Sequence, residues 1–243
     1  MQLVVLAAGR GSRLPKKYRY SPKCLVKVNN KEIINYNLNF FKKFKNKIMI
    51  SGYKKGVLKK KTKHLGFNYI HNKYFSKTNM VHSLSLAKNK IVEDVVIMYG
   101  DIIFSKQIFN LLNKNKDILP VNINWLKNWR SRMGLEKTLL DAENILVQNN
   151  QVKTIGSKIN PKSLPKYQYM GIIKLKKKTL NKILDYYKLI NNKKIDMTSF
   201  INKCIQNKIL KLTIKKYKDY WYEIDNAQDL NFAKKEIKKL KTL

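Results

Sequence analysis

Two short apolar runs, each closed by a glycine, narrow the possible folds of this chain more than any other feature. Residues 1–6 (MQLVVL) lead into Ala7-Ala8-Gly9, and residues 95–99 (VVIMY) lead into Gly100-Asp101. A strand with one wet face alternates apolar and polar side chains, whereas a strand covered on both faces reads as a continuous apolar run. Both runs are of the second kind, so they predict strands inside a mainly parallel sheet with helices on either face. The segments between them fit that plan. Residues 33–44 have helical spacing, 48–51 read as a strand ending at Gly52, a lysine-rich helix and a strand at 67–70 follow, and 80–87 predict a further helix.

Beyond Asn124 the pattern shifts to antiparallel pieces. Residues 145–155 alternate about Asn149-Asn150, a pair suited to a hairpin turn. Helices are expected at 178–189 and 197–207, strands at 210–214 and 220–224, and a basic closing helix from Ala227 whose lysines suit a solvated face. The expectation is a single α/β domain over 1–243, three-layered and Rossmann-like, with a mixed, mainly parallel sheet and a small antiparallel extension.

Composition limits the function classes. No apolar run approaches the roughly 20 residues that span a bilayer, and the N-terminal residues lack the basic flank of a signal peptide, so a soluble cytoplasmic protein is expected. Cys24 and Cys204 are the only cysteines; two so far apart form no disulfide framework and read as small buried hydrophobes. The formal charge of +37, from 52 Lys+Arg against 15 Asp+Glu, would attract any polyanion at low salt. Yet the lysines are spread through every expected element rather than gathered in one stripe, which favours compositional drift over a nucleic-acid footprint.

Chemistry is expected where the two glycine-closed strands end, because ligands collect at the carboxyl ends of parallel strands. The loop LAAGRGSRL (Leu6, Ala7, Ala8, Gly9, Arg10, Gly11, Ser12, Arg13, Leu14) is neither a dinucleotide fingerprint nor a Walker loop. Its glycines still allow a sharp turn that aims amide donors at an anion, with Arg10 and Arg13 adding charge; a plain strand-to-loop turn is the alternative. Lys23, in PKCLVKV, can act as a point charge on a phosphate. Asp101, after YG, and Asp225, in WYEIDNAQDL, each follow an apolar run. Two carboxylates so placed suit Mg²⁺, and helix capping explains them equally well. His64, His71 and His82 show no ligand spacing, and no serine sits in a nucleophile elbow, so covalent catalysis has no support.

Taken in order, LAAGRGSRL, PKCLVKV, the strand ending YGD, and EID near the C-terminus resemble the nucleotidyltransferase family of sugar-nucleotide pyrophosphorylases across nearly the whole chain. Within it, SKTNMVHSLSLA together with NWLKNWRSRM and LLDAEN resemble the small cytidylyltransferases acting on phosphocholine, aminoethylphosphonate or phosphoglutamine. The resemblance implies the nucleotide-diphospho-sugar transferase fold, with nucleotide bound in the 1–120 half and acceptor in the 121–243 half. It implies CTP and a small phosphorylated acceptor as substrates and Mg²⁺ as cofactor, with no specific nucleic-acid or membrane partner, and is compatible with a homodimer.

Roles carry over residue by residue. The loop from Ala8 to Arg13 would hold the triphosphate, Arg13 on its leaving phosphates; Lys23 would bridge the α-phosphate and the incoming phosphate; Asp101 and Asp225 would hold Mg²⁺. Leu6, Ala7, Gly52, Asn79, Ser83, Tyr99 and Gly100 would complete the nucleotide site. Trp129, Arg132, Glu143, Tyr169 and Trp221 would form the acceptor pocket, and Trp125, Trp129, Tyr169, Trp221 and Tyr222 could cage a cationic head. Pro15-Lys16-Lys17-Tyr18, and Tyr99 before Gly-Asp, depart from the pattern of the sugar enzymes. Two alternatives share these motifs: a uridylyl- or thymidylyltransferase acting on a sugar 1-phosphate, and a non-catalytic RNA- or anion-binding protein on the same fold.

Overall fold

The computed structural model describes residues 1–112, 115–160 and 164–240; the remaining residues of the expected 1–243 domain lie outside the described part. The strands, in chain order, are β1 (Gln2–Ala7), β2 (Lys27–Val28), β3 (Lys31–Glu32), β4 (Lys47–Ser51), β5 (Asn68–His71), β6 (Val95–Tyr99), β7 (Ile102–Phe104), β8 (Ile118–Asn122), β9 (Asn144–Gln148), β10 (Gln151–Ser157), β11 (Gln168–Tyr169), β12 (Ile172–Leu175), β13 (Thr213–Tyr217) and β14 (Trp221–Glu223). The helices are α1 (Leu38–Phe41), α2 (Lys55–Thr62), α3 (Met80–Ser85), α4 (Ile108–Leu112), α5 (Trp125–Met133), α6 (Leu135–Asp141), α7 (Lys177–Ile190), α8 (Met197–Gln206) and α9 (Ala227–Leu240).

One sheet runs through both halves in the order β5-β4-β1-β6-β12-β8-β13-β10-β9, with β11 added beside β8. Its first four strands are mutually parallel; β12 enters antiparallel between β6 and β8, and β13 runs parallel to β8. The two-residue period of a strand feeds two cores at once. From β1, Leu3, Val5 and Ala7 join Phe40, Phe41, Met49 and Met98 on one face, while Val4 and Leu6 join Val81, Leu84 and Ile97 on the other. That is why neither β1 nor β6 alternates. The family of mixed, mainly parallel three-layer folds expected from the sequence is the one observed.

Several elements differ from expectation. Residues 33–44 do not form one helix: a 3₁₀ segment, Ile33–Asn37, precedes the single turn of α1. Asn37 is buried and donates its side-chain amide to the Ile102 carbonyl (2.8 Å), so the segment is anchored to β7 in place of continuing an α-helix in which asparagine is a poor fit. The strand expected at 210–214 begins at Thr213, and the one expected at 220–224 pairs with β7 in a separate ribbon instead of the main sheet. The Asn149-Asn150 hairpin is present, both residues left-handed (φ 51° and 59°) as a tight primed turn requires. Leu230, Ala233 and Ile237 of α9 pack with Leu14, Val26 and Tyr222, leaving its lysines on the wet face. Cys24 and Cys204 are buried, and burial pushes both thiols up to about 12. Among the described residues no helix is long and apolar enough to cross a membrane.

Candidate active site

Because β1 and β6 are parallel neighbours, their glycine-closed ends meet on one rim, where Gly100 donates its amide to the Leu6 carbonyl (3.0 Å). Two further backbone links complete the frame. The Lys23 amide donates to the Gly9 carbonyl (3.3 Å), and the Ile224 amide donates to the Asp101 carbonyl (3.1 Å), which brings the EID segment beside YGD. Gly11 makes the loop possible: its φ is +72°, and a Cβ there would lie 3.0 Å from Leu14 and 3.1 Å from Lys23.

The frame brings four charged side chains together. The Lys23 ammonium hydrogen-bonds to both the Asp101 and Asp225 carboxylates, and Arg13, largely exposed, pairs with Asp225 at 2.8 Å. Burial alone would depress the Lys23 pKa, but Asp101 and Asp225 together raise it above the ordinary lysine value. Burial alone would raise Asp225, but Lys23 and then Arg13 hold it below the usual carboxylate range. The capping alternative is not realised. The first turn of α9 is capped by Asn226 and Asp229, whose oxygens accept the local amides, leaving the Asp225 side chain free to face Lys23.

Asp101 and Asp225 face different cavities. Asp101, with Leu6, Ala8, Gly9, Asn79, Ser83 and Tyr99, lines a cavity of about 150 Å³, and with Ala7, Lys23 and Gly100 it lines a small recess beside it. Met80, within the 79–83 turn expected beside the base and ribose, also lines the larger space, as do Phe75 and Thr78, which the sequence alone does not mark. Arg10, Ser12 and Arg13 are exposed on the loop above. Gly52 lies behind the wall: Tyr53 donates its amide to the Ala8 carbonyl (3.0 Å).

Asp225 faces a second cavity of about 220 Å³ that shares Met80 and Tyr99 with the first. Trp129, Glu143 and Tyr169 line it, as do Asp141, Gln168, Asp196, Thr198 and Glu223, which the sequence reading missed. Two expected members need correction. Trp221 is core, 2% exposed and stacked on Trp129 with ring centres 5.9 Å apart; Arg132 lies behind Trp129, its guanidinium 4.6 Å from the ring centre. The aromatic cage is likewise incomplete, because Trp125 is buried against Trp129 and Tyr222 belongs to the α9 cluster.

The cavity is acidic. Asp141, Glu143, Asp196, Glu223 and Asp225 are five of the chain's fifteen acidic residues, and among the described residues no Lys or Arg lines the cavity. Burial, then the neighbouring Asp196 and Asp141, raises the Glu143 carboxyl above its usual range. Gln168, almost fully buried, has no hydrogen-bond partner for its Oε1.

The carboxylates also fit a divalent ion. Asp101 keeps Oδ1 buried and unpaired, and a site already holding an ammonium between two carboxylates is built for a cation. Among the described residues no group of three or more His, Cys, Asp or Glu is arranged as a metal site; Asp101 and Asp225 are the two carboxylates that a Mg²⁺ ion would take together with phosphate and water.

Gly52 tests the nucleotide role expected for the first cavity. A Cβ there would meet the Ala8 carbonyl at 2.6 Å and Phe75 at 2.7 Å, both fixed parts of the wall. Gly52→Ala is expected to cost about 1–3 kcal/mol by overpacking and to weaken nucleoside triphosphate binding at least about tenfold, the value of 1.4 kcal/mol. Calorimetric titration giving wild-type affinity would show that Ala8 and Phe75 do not shape the nucleotide site.

The sequence profile of the family described as "MobA-like NTP transferase domain" matches residues 3–117. The CTP:phosphoglutamine cytidylyltransferase of Campylobacter jejuni is 32% identical, over 95% of this chain and 98% of that protein. The choline-phosphate cytidylyltransferase of Streptococcus pneumoniae is 31% identical over 47% of this chain and 51% of its own. Among solved structures, the CTP:phosphocholine cytidylyltransferase from Streptococcus pneumoniae has a TM-score of 0.74 at 20% identity, covering 97% of this chain and 98% of that one. The inositol-1-phosphate CTP transferase from T. maritima has a TM-score of 0.77 at 18% identity, covering 96% and 95%. At such identities the structural likeness speaks for the fold.

Proposed function

Since the chain belongs to the nucleotidyltransferases with a MobA-like NTP transferase domain, we propose that it transfers CMP from CTP to a small phosphorylated acceptor and releases pyrophosphate. One observation carries the reading: Asp101 on the first cavity and Asp225 on the second share the Lys23 ammonium where the two cavities adjoin. That is where two phosphate-bearing substrates must touch.

An anionic oxygen of the acceptor attacks the α-phosphorus of CTP. As that P–O bond forms, the bond from the α-phosphorus to the oxygen bridging it to the β-phosphorus breaks, and the electron pair leaves on pyrophosphate. No strong protein base is needed, because the attacking oxygen is already ionised near neutral pH. The task is to position two polyanions and to offset their repulsion. Asp101 and Asp225 would hold Mg²⁺, which when bound neutralises phosphate charge and stabilises the leaving group. Lys23 would bridge the α-phosphate and the incoming phosphate. Arg13 and the Ala8 to Ser12 amides would hold the leaving phosphates.

The second cavity indicates the acceptor. Three aspartates, two glutamates whose carboxyls burial raises above the usual range and an unpaired amide oxygen favour a group with positive charge and N–H donors, an ammonium, at the end of the acceptor remote from its phosphate. Assaying pyrophosphate release with the four common triphosphates against phosphoethanolamine, phosphocholine and glucose 1-phosphate separates the readings. Turnover is expected with CTP and an amine-bearing acceptor; faster turnover of UTP or dTTP with glucose 1-phosphate would sink the proposal. Glu143→Gln, which removes one charge from the wall, is expected to raise the acceptor KM by about 10- to 100-fold, the value of a charged hydrogen bond of about 1.5–3 kcal/mol. The KM for CTP should stay at the wild-type value.

A further inference from the structure

Arg132 lines neither cavity, yet it packs against the wall of the acidic one. Its side chain is 6% exposed. The guanidinium lies over Trp129, and Nη2 is 3.7 Å from Asp141 Oδ2; Trp129 and Asp141 are wall residues of the acidic cavity. On the opposite side, Arg132 Nε is 3.2 Å from Oδ1 of Asp229, which is 3% exposed. The other oxygen of Asp229 accepts the backbone amides of Asp225 (2.8 Å) and Asn226 (3.1 Å). A continuous path therefore runs from the cavity wall through Arg132 and Asp229 to the turn that presents the Asp225 carboxylate.

We propose that Arg132 and Asp229 are positioning residues that couple the wall of the acidic cavity to the placement of Asp225. The inference rests on the reading above that Asp225 holds a divalent ion. Neither residue lines the cavities where the substrates would meet, so the effect is exerted through Asp225. The Arg132–Asp229 pair is close but not aligned as a hydrogen bond, and Arg132 Nε and Asp229 Oδ1 both retain unused bonding capacity. A small shift of α5 would align them and so act on the Asp225 turn, whose amides Asp229 holds. In the reverse direction, loading the carboxylates would be felt at Trp129, since coupling between two sites is reciprocal.

A plain structural ion pair between α5 and α9 would predict lost stability and nothing more. The tryptophans allow a distinction: all three in the chain (Trp125, Trp129, Trp221) pack together at this wall, so their emission reports on it. The protein is saturated with α,β-methylene-CTP, which cannot release pyrophosphate, and titrated with Mg²⁺ while tryptophan fluorescence is followed; Mn²⁺ affinity of the same complex is measured by electron paramagnetic resonance. In the wild type, Mg²⁺ is expected to shift the emission. In Arg132→Met and Asp229→Asn the shift should vanish and Mn²⁺ should bind about tenfold more weakly, with nucleotide affinity in the absence of metal unchanged. Arg132→Lys, which keeps the charge and a shorter reach to Asp229, should recover part of both, and it serves if Arg132→Met does not fold. A wild type without the shift, or variants that retain both the shift and the Mn²⁺ affinity, would overturn the coupling. Asp225→Ala in the same assay separates the two ideas: undiminished Mn²⁺ affinity there removes Asp225 as a metal-holding residue, whatever Arg132 does.

Discussion

Asp101→Ala and Asp225→Ala are each expected to lower kcat by about 10³-fold while the protein stays folded, a loss comparable to that of a single charge-stabilising group in phosphoryl transfer. The two carboxylates are shared by one buried ammonium, so removing either still leaves Lys23 paired. The cost in stability is therefore far smaller than the cost in turnover. What is lost is half of the negative charge that would hold Mg²⁺ where the two substrates meet. Pyrophosphate release at saturating Mg²⁺, with circular dichroism as the control for folding, measures both quantities. Wild-type turnover in either variant would remove that residue from the mechanism.

Much of the fold was legible because burial on both faces leaves a strong mark. The strand expected at 95–99 is β6 with the same bounds, and β1 is displaced by one residue. Two of the strands that were missed carry a contrary local signal. β8 contains Pro120, normally a reason to reject an interior strand, yet it lies beside β13 with Pro120 opposite Lys215. β12 carries Lys174, which is 2% exposed and pairs with Asp94 at 2.9 Å. A buried lysine reads as a surface residue until its partner, eighty positions away, is known. In both strands tertiary contacts override a local signal that points elsewhere.

The candidate site divides in the same way. The Gly11 loop and Asp101 follow the ends of two neighbouring strands, so their meeting follows from the expected topology; Lys23, which opens a 3₁₀ turn after Pro22, and Asp225, behind a strand of the separate ribbon, were legible only through the family resemblance. The acidic cavity follows from neither. Asp141 ends α6, Asp196 precedes α8 and Glu223 lies in β14, so only the folded sheet brings them to one space. Aromatic residues misled for a related reason: Trp221 and Glu223 share a face of β14 by the two-residue period, but Trp221 lies deeper, beneath Trp129. Side-chain type identifies what could face a ligand, and depth in the fold decides whether it does.

Lys23→Met should produce two losses that respond differently to metal. Turnover is expected to fall by about 10³-fold or more, because the charge that offsets the incoming phosphate is gone. Stability should fall as well, since Lys23, Asp101 and Asp225 are only 13%, 19% and 20% exposed and two carboxylates would face each other with Arg13, 66% exposed, as their remaining close partner. Removing one member of a buried ion pair costs about 3–5 kcal/mol; partial exposure places this case near the lower end, a fall in Tm of roughly 10 °C for a chain of this size. The pH behaviour has a definite sign. Asp225, held below its ordinary value, contributes stability above the usual carboxylate range and loses it as pH falls through that range. Lys23, raised, contributes below its ordinary value and loses it only at strongly alkaline pH. The wild-type cluster is therefore indifferent to pH near neutrality, and the loss in Lys23→Met near pH 7 comes from repulsion between carboxylates alone. Millimolar Mg²⁺ should take the place of the missing ammonium and restore most of the Tm without restoring turnover, because a metal held by the two aspartates cannot also serve as the cation on the incoming phosphate. Thermal melts with Mg²⁺ and with chelator decide the matter: an equal loss of Tm under both conditions would mean that the two carboxylates do not form a cation site.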